Sequence, residues 1–141
     1  MDVITARFPA AEKKDLVVIR RFTEAVMTAF GVDQEVVPEL VLAVHEAAAN
    51  ILNHGYKNRP GCIAVEFALV GDDLKIRLLD QAPIFDPTTA PTPDVSIPLG
   101  QRPYGGLGIH MMRSFADELR YRVTDEDENE LVLVKFDAIQ T

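Results

Sequence analysis

The 141-residue sequence contains no tryptophan, one cysteine and only 7% aromatic residues. A single cysteine, Cys62, excludes an internal disulfide and suits a reducing compartment. With no histidine or cysteine beside it, Cys62 reads as a small buried residue. Basic charge is also scarce: 14 Lys and Arg stand against 22 Asp and Glu, a formal charge of −8. That balance argues against nucleic acid or an anionic membrane as the main partner. It does not oppose nucleotide binding, which depends on local donors. No apolar run approaches the roughly 20 residues of a membrane span. The opening MDVITARFPA has no basic region followed by an apolar run, so no signal-peptide pattern is seen and a cytoplasmic location is expected. What is present, 48% hydrophobic and 26% charged residues, is the composition of an ordinary globular chain. The length suits one domain, residues 1–141, with a core that needs no staples.

The most informative stretch is ELVLAVHEAAANILNHG, residues 39–55. Leu40, Val44, Ala47 and Ile51 recur at three- and four-residue spacing, which predicts a helix with a broad apolar face. Alanines at 43 and 47–49 raise helix propensity and allow close approach of neighbouring backbone. Glu46 and Asn50 lie one turn apart and emerge together, with Asn53 near the same line. Two readings stand at this point: a solvated polar stripe, or a site in which an amide oxygen ligates Mg²⁺ while the carboxylate takes a proton. Gly55 is expected to be the left-handed residue that ends the helix, with His54 capping it. No two of His45, His54 and His110 share a ligand spacing, so a histidine metal site is not expected.

Around this helix the periods alternate. Residues 2–8 read as an edge strand and residues 11–30 as a helix closed by Gly31. Asp33 is expected to cap the central helix, whose Pro38 falls in its first turn. Ile63, Val65, Phe67 and Leu69 form one face of a strand, joined through Gly71-Asp72-Asp73 to a return strand. That strand carries Leu74, Ile76, Leu78 and Asp80 on one face. Asp80 therefore either begins a turn or points a carboxylate toward the helix layer, where it needs a partner. Six of the nine prolines lie between Pro83 and Pro103, a segment long enough to be a lid or binding loop. Tyr104-Gly105-Gly106-Leu107-Gly108-Ile109 then runs into a helix. Glycines there either end the loop or let helix amides face an anion. Leu119, Tyr121, Val123 and Val132, Val134, Phe136 read as a hairpin around a solvated acidic turn, 125–130. The order β-α-α-β-β-loop-α-β-β favours an α+β fold, a two-layer sandwich with a mixed, mainly antiparallel sheet and helices on one face.

Glu46-x-x-x-Asn50, Asp80 after a strand, the long loop and Gly105-Gly106-x-Gly108 before a helix together resemble the GHKL (Bergerat-fold) ATPase superfamily. Within it, HEAAANILNHGY, DQAPIFDP, GGLGIHMMR and NELVLVKF, in that order, look like the bacterial anti-sigma-factor serine/threonine kinases. The resemblance covers nearly the whole chain. It implies ATP and Mg²⁺ as cofactors, with Glu46 as general base and Asn50 as the Mg²⁺ ligand. Asp80 would accept a hydrogen bond from the adenine amino group. Ala82, Gly105, Gly106, Leu107, Gly108 and Ile109 would complete the nucleotide site, and residues 83–104 would form the ATP lid. An anti-anti-sigma protein of STAS type would be phosphorylated and a sigma factor sequestered, and a homodimer is left open. The usual D-x-G-x-G reads Asp80-Gln81-Ala82-Pro83-Ile84, with both glycines replaced. Two other readings therefore stand beside the kinase: a catalytically weak, nucleotide-dependent partner-binding module, and a plain ATPase.

Overall fold

The computed structural model describes residues 2–57, 59–89, 96 and 106–140, with residues 106 and 107 described by their backbone alone. Strand β1 (Asp2–Pro9) is followed by helix α1 (Lys13–Phe30). The start of α1 is set by Asp15, whose Oδ2 accepts the Ala11 and Glu12 N–H groups at 2.9 Å each. These are donors that the first helical turn leaves unpaired. Gly31, at φ +80°, closes α1 in the left-handed conformation that a side chain resists. Helix α2 (Val37–Asn50) begins after a turn in which Asp33 Oδ1 accepts the Glu35 N–H at 2.9 Å. Asp33 thus holds the lead-in turn, and Val36 occupies the cap without a side-chain bond. Beyond Asn50 the chain widens into a π-type turn, Ile51–Gly55. The left-handed residue that redirects it is Lys57 (φ 55°), not Gly55.

Strands β2 (Cys62–Val70), β3 (Asp73–Asp80), β4 (Glu118–Val123) and β5 (Asn129–Lys135) complete a five-stranded sheet. Its order is β1-β2-β3-β5-β4, and all of these pairings are antiparallel. The two-layer α+β arrangement expected from the sequence is the one observed, with β1 at an edge. The final hairpin folds back so that β5, the later strand, pairs with β3. Asp80 is thereby in register with Ile63 on one side and Asn129 on the other.

Side-chain alternation then decides which face meets the helices. Ile63, Val65 and Phe67, Leu74, Ile76 and Leu78, and Leu131 and Leu133 all belong to the hydrophobic core. In β5 this is the opposite face from the one expected, because Val132 and Val134 pair with Arg77 and Lys75 on the outer face. Phe136 lies past the strand and is exposed. Both faces of β5 are covered, which erases the period-two signal that would have shown its orientation. Cys62, expected to be buried, is exposed at the start of β2.

The core is closed by α1, α2 and α3 (Gly106–Phe115). Ile19, Met27, Leu40, Val44, Leu52, Ile109 and Met112 are fully or almost fully buried. Phe22 bridges from α1 to Phe8 and Phe67, with ring centroids 5.1 and 5.8 Å apart. Most of the 83–104 lid expectation lies outside the described residues. Of that segment, Pro87–Thr89 forms a short 3₁₀ turn, and Arg113 of α3 donates to the Thr88 carbonyl.

The acidic turn also needs correction at one end: Glu130 is not solvated but belongs to β5 and is 5% exposed. Its carboxylate accepts from Arg77 Nε at 3.0 Å and Arg122 Nε at 2.7 Å, and Arg77 Nη1 reaches Glu66 at 2.9 Å. Burial alone would raise the Glu130 pKa, but Arg122 and Arg77 outweigh it and hold it below the ordinary 4.5. A depressed carboxylate stabilises the fold fully above its unfolded value, and that stability is lost as pH falls through the folded one. Glu130→Gln should therefore cost about 1–3 kcal/mol at pH 7, and the cost should shrink as pH falls through the folded-state pKa. Urea unfolding of both proteins along a descending pH series checks this, and a loss that stays constant until the wild type itself unfolds in acid would exclude an ionic role for Glu130.

Candidate functional site

The apolar period of α2 faces the core, so its less apolar line, Glu46 and Asn50, is left at the margin where α3 arrives. Both residues are half-buried. Gly108 of α3 packs directly over them: a methyl group added there would lie 3.1 Å from Glu46 Oε2 and 3.5 Å from Asn50 Nδ2. Only glycine allows this approach without displacement, so the first turn of α3 sits against the carboxylate and the amide. Among the described residues, Asn50 Nδ2 is buried with no hydrogen-bond partner. An amide nitrogen in that state costs stability unless something else satisfies it.

From Asn50 a narrow cleft runs to the C-terminal end of β3. Asn50, Asp80, Ala82, Phe85, Tyr121 and Asn129 contribute to its wall. Asp80 is 6% exposed, the last residue of a strand whose alternation points it toward the helices. Its Oδ1 accepts two bonds, from the Ala82 N–H at 3.0 Å and from Asn129 Nδ2 at 2.9 Å. Burial pushes the Asp80 pKa above the ordinary carboxylate value, with Glu128 adding to the rise. The bonds from Asn129 and Ala82 oppose it.

Asn129 is the cleft residue that the sequence pattern hid. It is 7% exposed and also donates to the Ala82 carbonyl at 3.0 Å, while its Oδ1 accepts from Tyr121 Oη and from the Phe85 N–H at 3.3 Å. A signal existed in NELVLVKF: Asn129 is two residues before Leu131 and four before Leu133, so it shares their inward face. Tyr56 holds the other side of the same loop. Its hydroxyl donates to the Cys62 carbonyl at 2.7 Å and accepts the Gln81 N–H at 2.9 Å.

The missing glycines acquire a local explanation. Ala82 is 5% exposed, and its methyl faces Gly55 so closely that a Cβ at Gly55 would lie 3.0 Å away. Space given up at position 82 is therefore recovered at position 55. Gly106 opens α3, and Gly105 lies outside the described residues. Leu107 is described by backbone only, and Ile109 buries its side chain in the core. His45 has a buried Nδ1 without a partner among the described residues. Burial lowers its pKa, Arg20 adds to this, and Glu46 opposes it. His110 is exposed. No described helix is long and apolar enough to cross a membrane.

Comparison with known proteins places these features. The family model described as a histidine kinase-like ATPase domain matches residues 8–135. A protein named serine-protein kinase RsbW from Bacillus cereus strain Q1 is 31% identical over 122 residues, covering 83% of this chain and 75% of its own. A Bacillus anthracis protein of the same name is 30% identical over the same span. A crystal structure of the RsbU and RsbW domains of a Mycobacterium tuberculosis protein superimposes with a TM-score of 0.65 at 18% identity. That match covers 96% of this chain but only 32% of the other, and it supports the fold alone. The chain belongs to the histidine kinase-like (GHKL) ATPase family, with serine-protein kinases of the RsbW type among its relatives.

Proposed function

We propose that this chain is an ATP-dependent serine/threonine kinase that phosphorylates an anti-anti-sigma partner and, in the alternate state, sequesters a sigma factor in the cytoplasm. The observation that carries the reading is one cleft with a different chemistry at each end. At one end a buried carboxylate, Asp80, is held by an amide. At the other lies the orphaned amide of Asn50, which with Glu46 behind it meets a glycine at a helix start. The choice of partners rests on similarity to RsbW serine-protein kinases.

Each residue has a chemical task on this reading. Asp80 accepts the adenine amino group, which guanine lacks at that position. The amides at the start of α3 suit phosphate, because a helix N-terminus carries unpaired donors and the positive end of its dipole. The donor set also fits a magnesium ion. Asn50 offers an amide oxygen, its Nδ2 has no partner among the described residues, and Mg²⁺ typically takes one or two protein ligands plus phosphate and water. Bound there, the ion would neutralise phosphate charge. Glu46 is placed to take the proton of the attacking hydroxyl, and the segment 83–104 would cover the nucleotide as a lid.

One observation favours a weaker enzyme. Ala82 and Ile84 stand where the family pattern has flexible glycine, and Ala82 is packed tightly against Gly55. A nucleotide-dependent binding module with little transfer activity follows if this loop must move during catalysis.

Three substitutions and the wild type's own affinities for ATP and GTP test the reading. Asp80→Asn should lose about 1–3 kcal/mol of ATP binding, the worth of a buried charge-assisted bond. Titration calorimetry showing equal affinity of the wild type for ATP and GTP would remove Asp80 as the adenine reader. Glu46→Gln should nearly abolish phosphate transfer to the cognate partner while leaving ATP affinity within about threefold, since a base acts mainly in the transition state. Transfer at the wild-type rate would make Glu46 structural. Asn50→Ala should weaken Mg·ATP binding and transfer together. Tight ATP binding by wild type with no detectable transfer would select the binding module.

A further inference from the structure

The Asn129 amide bonds to more of the cleft than any other side chain among the described residues. It joins strand β5 to the carboxylate of β3, to two or more peptide groups of the 82–85 loop and to the hydroxyl of Tyr121 on β4. Four parts of the wall are thus fixed by one planar group. Its orientation is determined by its neighbours. Tyr121 Oη and the Phe85 N–H are donors and require the oxygen on their side, while the Ala82 carbonyl and Asp80 Oδ1 require the NH₂. A flipped amide would set oxygen against oxygen at Asp80 and again at Ala82.

We propose that Asn129 is the positioning residue for purine selection. By donating to Asp80 Oδ1 it turns the second oxygen, Oδ2, toward the cleft as an acceptor, and by binding Ala82 and Phe85 it does the work of the absent glycines in shaping the loop. This rests on the reading of Asp80 as the adenine acceptor and deepens it. Oδ1 already accepts two hydrogen bonds, and Oδ2 has none among the described residues. A carboxylate with one oxygen doubly engaged and the other open is a directional acceptor for one N–H donor, and it rejects a carbonyl at the same place. The loop benefits too. With Ala82 at both ends of the network, through its N–H to Asp80 and its carbonyl to Asn129, the loop is shaped by side-chain bonds where flexible glycines are lacking. The titratable groups around the pair are Tyr121 from β4, Glu128 from the turn before β5 and Asp86 from the loop. The α2 wall contributes the neutral Ala47 and Asn50.

Asn129→Leu separates this role from a merely structural one, because it removes the donor to Asp80 at similar side-chain size. ATP and GTP affinities would be measured by calorimetry for wild type and variant at one pH. The expected result is about a 10–100-fold loss of ATP affinity with most of the ATP-over-GTP preference gone, as for a lost charge-assisted bond, and GTP affinity within about threefold of wild type. A wild-type preference in the variant would overturn the proposal, and so would an equal loss for ATP and GTP. Should the variant fail to fold by its urea transition, Asn129→Ala removes the same amide without added apolar bulk and should show the same loss of preference. An unchanged preference in Asn129→Ala would then overturn it. A wild type that binds ATP and GTP alike removes the Asp80 reading itself, an outcome distinct from a wild type that discriminates while the variants do so equally well.

Discussion

A carboxylate buried at the end of β3 is the constraint around which the cleft is arranged. Removing Asp80 from water without compensation would be costly enough to neutralise it, since a group that cannot be solvated or paired shifts its pKa instead. The rise in its pKa through burial shows that tendency. What opposes it is not a cation. The two donors to Oδ1 are a backbone N–H two residues on and the amide of Asn129. An arginine there would satisfy the charge and leave nothing to offer a ligand. Neutral donors hold the carboxylate only in part and keep its acceptor capacity open, which is the condition a recognition group needs.

That arrangement depends on strand order. Asp80 and Asn129 are separated by 49 residues and meet because β5 inserts between β3 and β4, in a register that pairs the two positions directly. A shift of one residue would turn Asn129 outward and bring Glu130 in beside Asp80, placing two carboxylates together. The outer face resists that shift, because Glu130 is already fixed between Arg77 and Arg122. The ion-pair cluster on one face and the Asp80–Asn129 bond on the other therefore enforce the same register. A buried ionic cluster is a weak source of net stability but a strong discriminator against alternative pairings.

Much of this was legible in the residues, and the rest was not for identifiable reasons. The apolar period of α2, the inward position of Asp80 and the strand of Ile63, Val65 and Phe67 follow from local periodicity, which is a property of neighbouring residues. Asn129 was missed because its importance lies in a partner 49 positions away, and because β5 is buried on both faces and loses its alternation. The same loss concealed the true inward face of β5 and made Glu130 look like turn. Gly55 was assigned a left-handed role that Lys57 performs, since sequence spacing shows a helix end but not the widening of its last turn. The loss of the family glycines at 82 and 84 looked like damage in the sequence alone. In three dimensions Ala82 fits because position 55, a helix away, has no side chain.

A formal charge of −8 and a proposed triphosphate ligand are reconciled by the same distinction between local and global properties. Screening limits the reach of distant surface acids to about 8 Å at physiological salt, so the total charge is a poor guide to what the cleft feels. Asp80 lines the cleft at its far end, and beside Asn50 the neighbouring groups are the alanines of α2, Gly108 and one carboxylate, Glu46. Glu46 lies beside the helix start, where it would be set against both phosphate and the positive end of the α3 dipole. On the proposed reading, Glu46 takes the proton of the attacking hydroxyl at that point. Gly108 is what allows the approach, because any larger residue would push α3 away from Glu46 and Asn50.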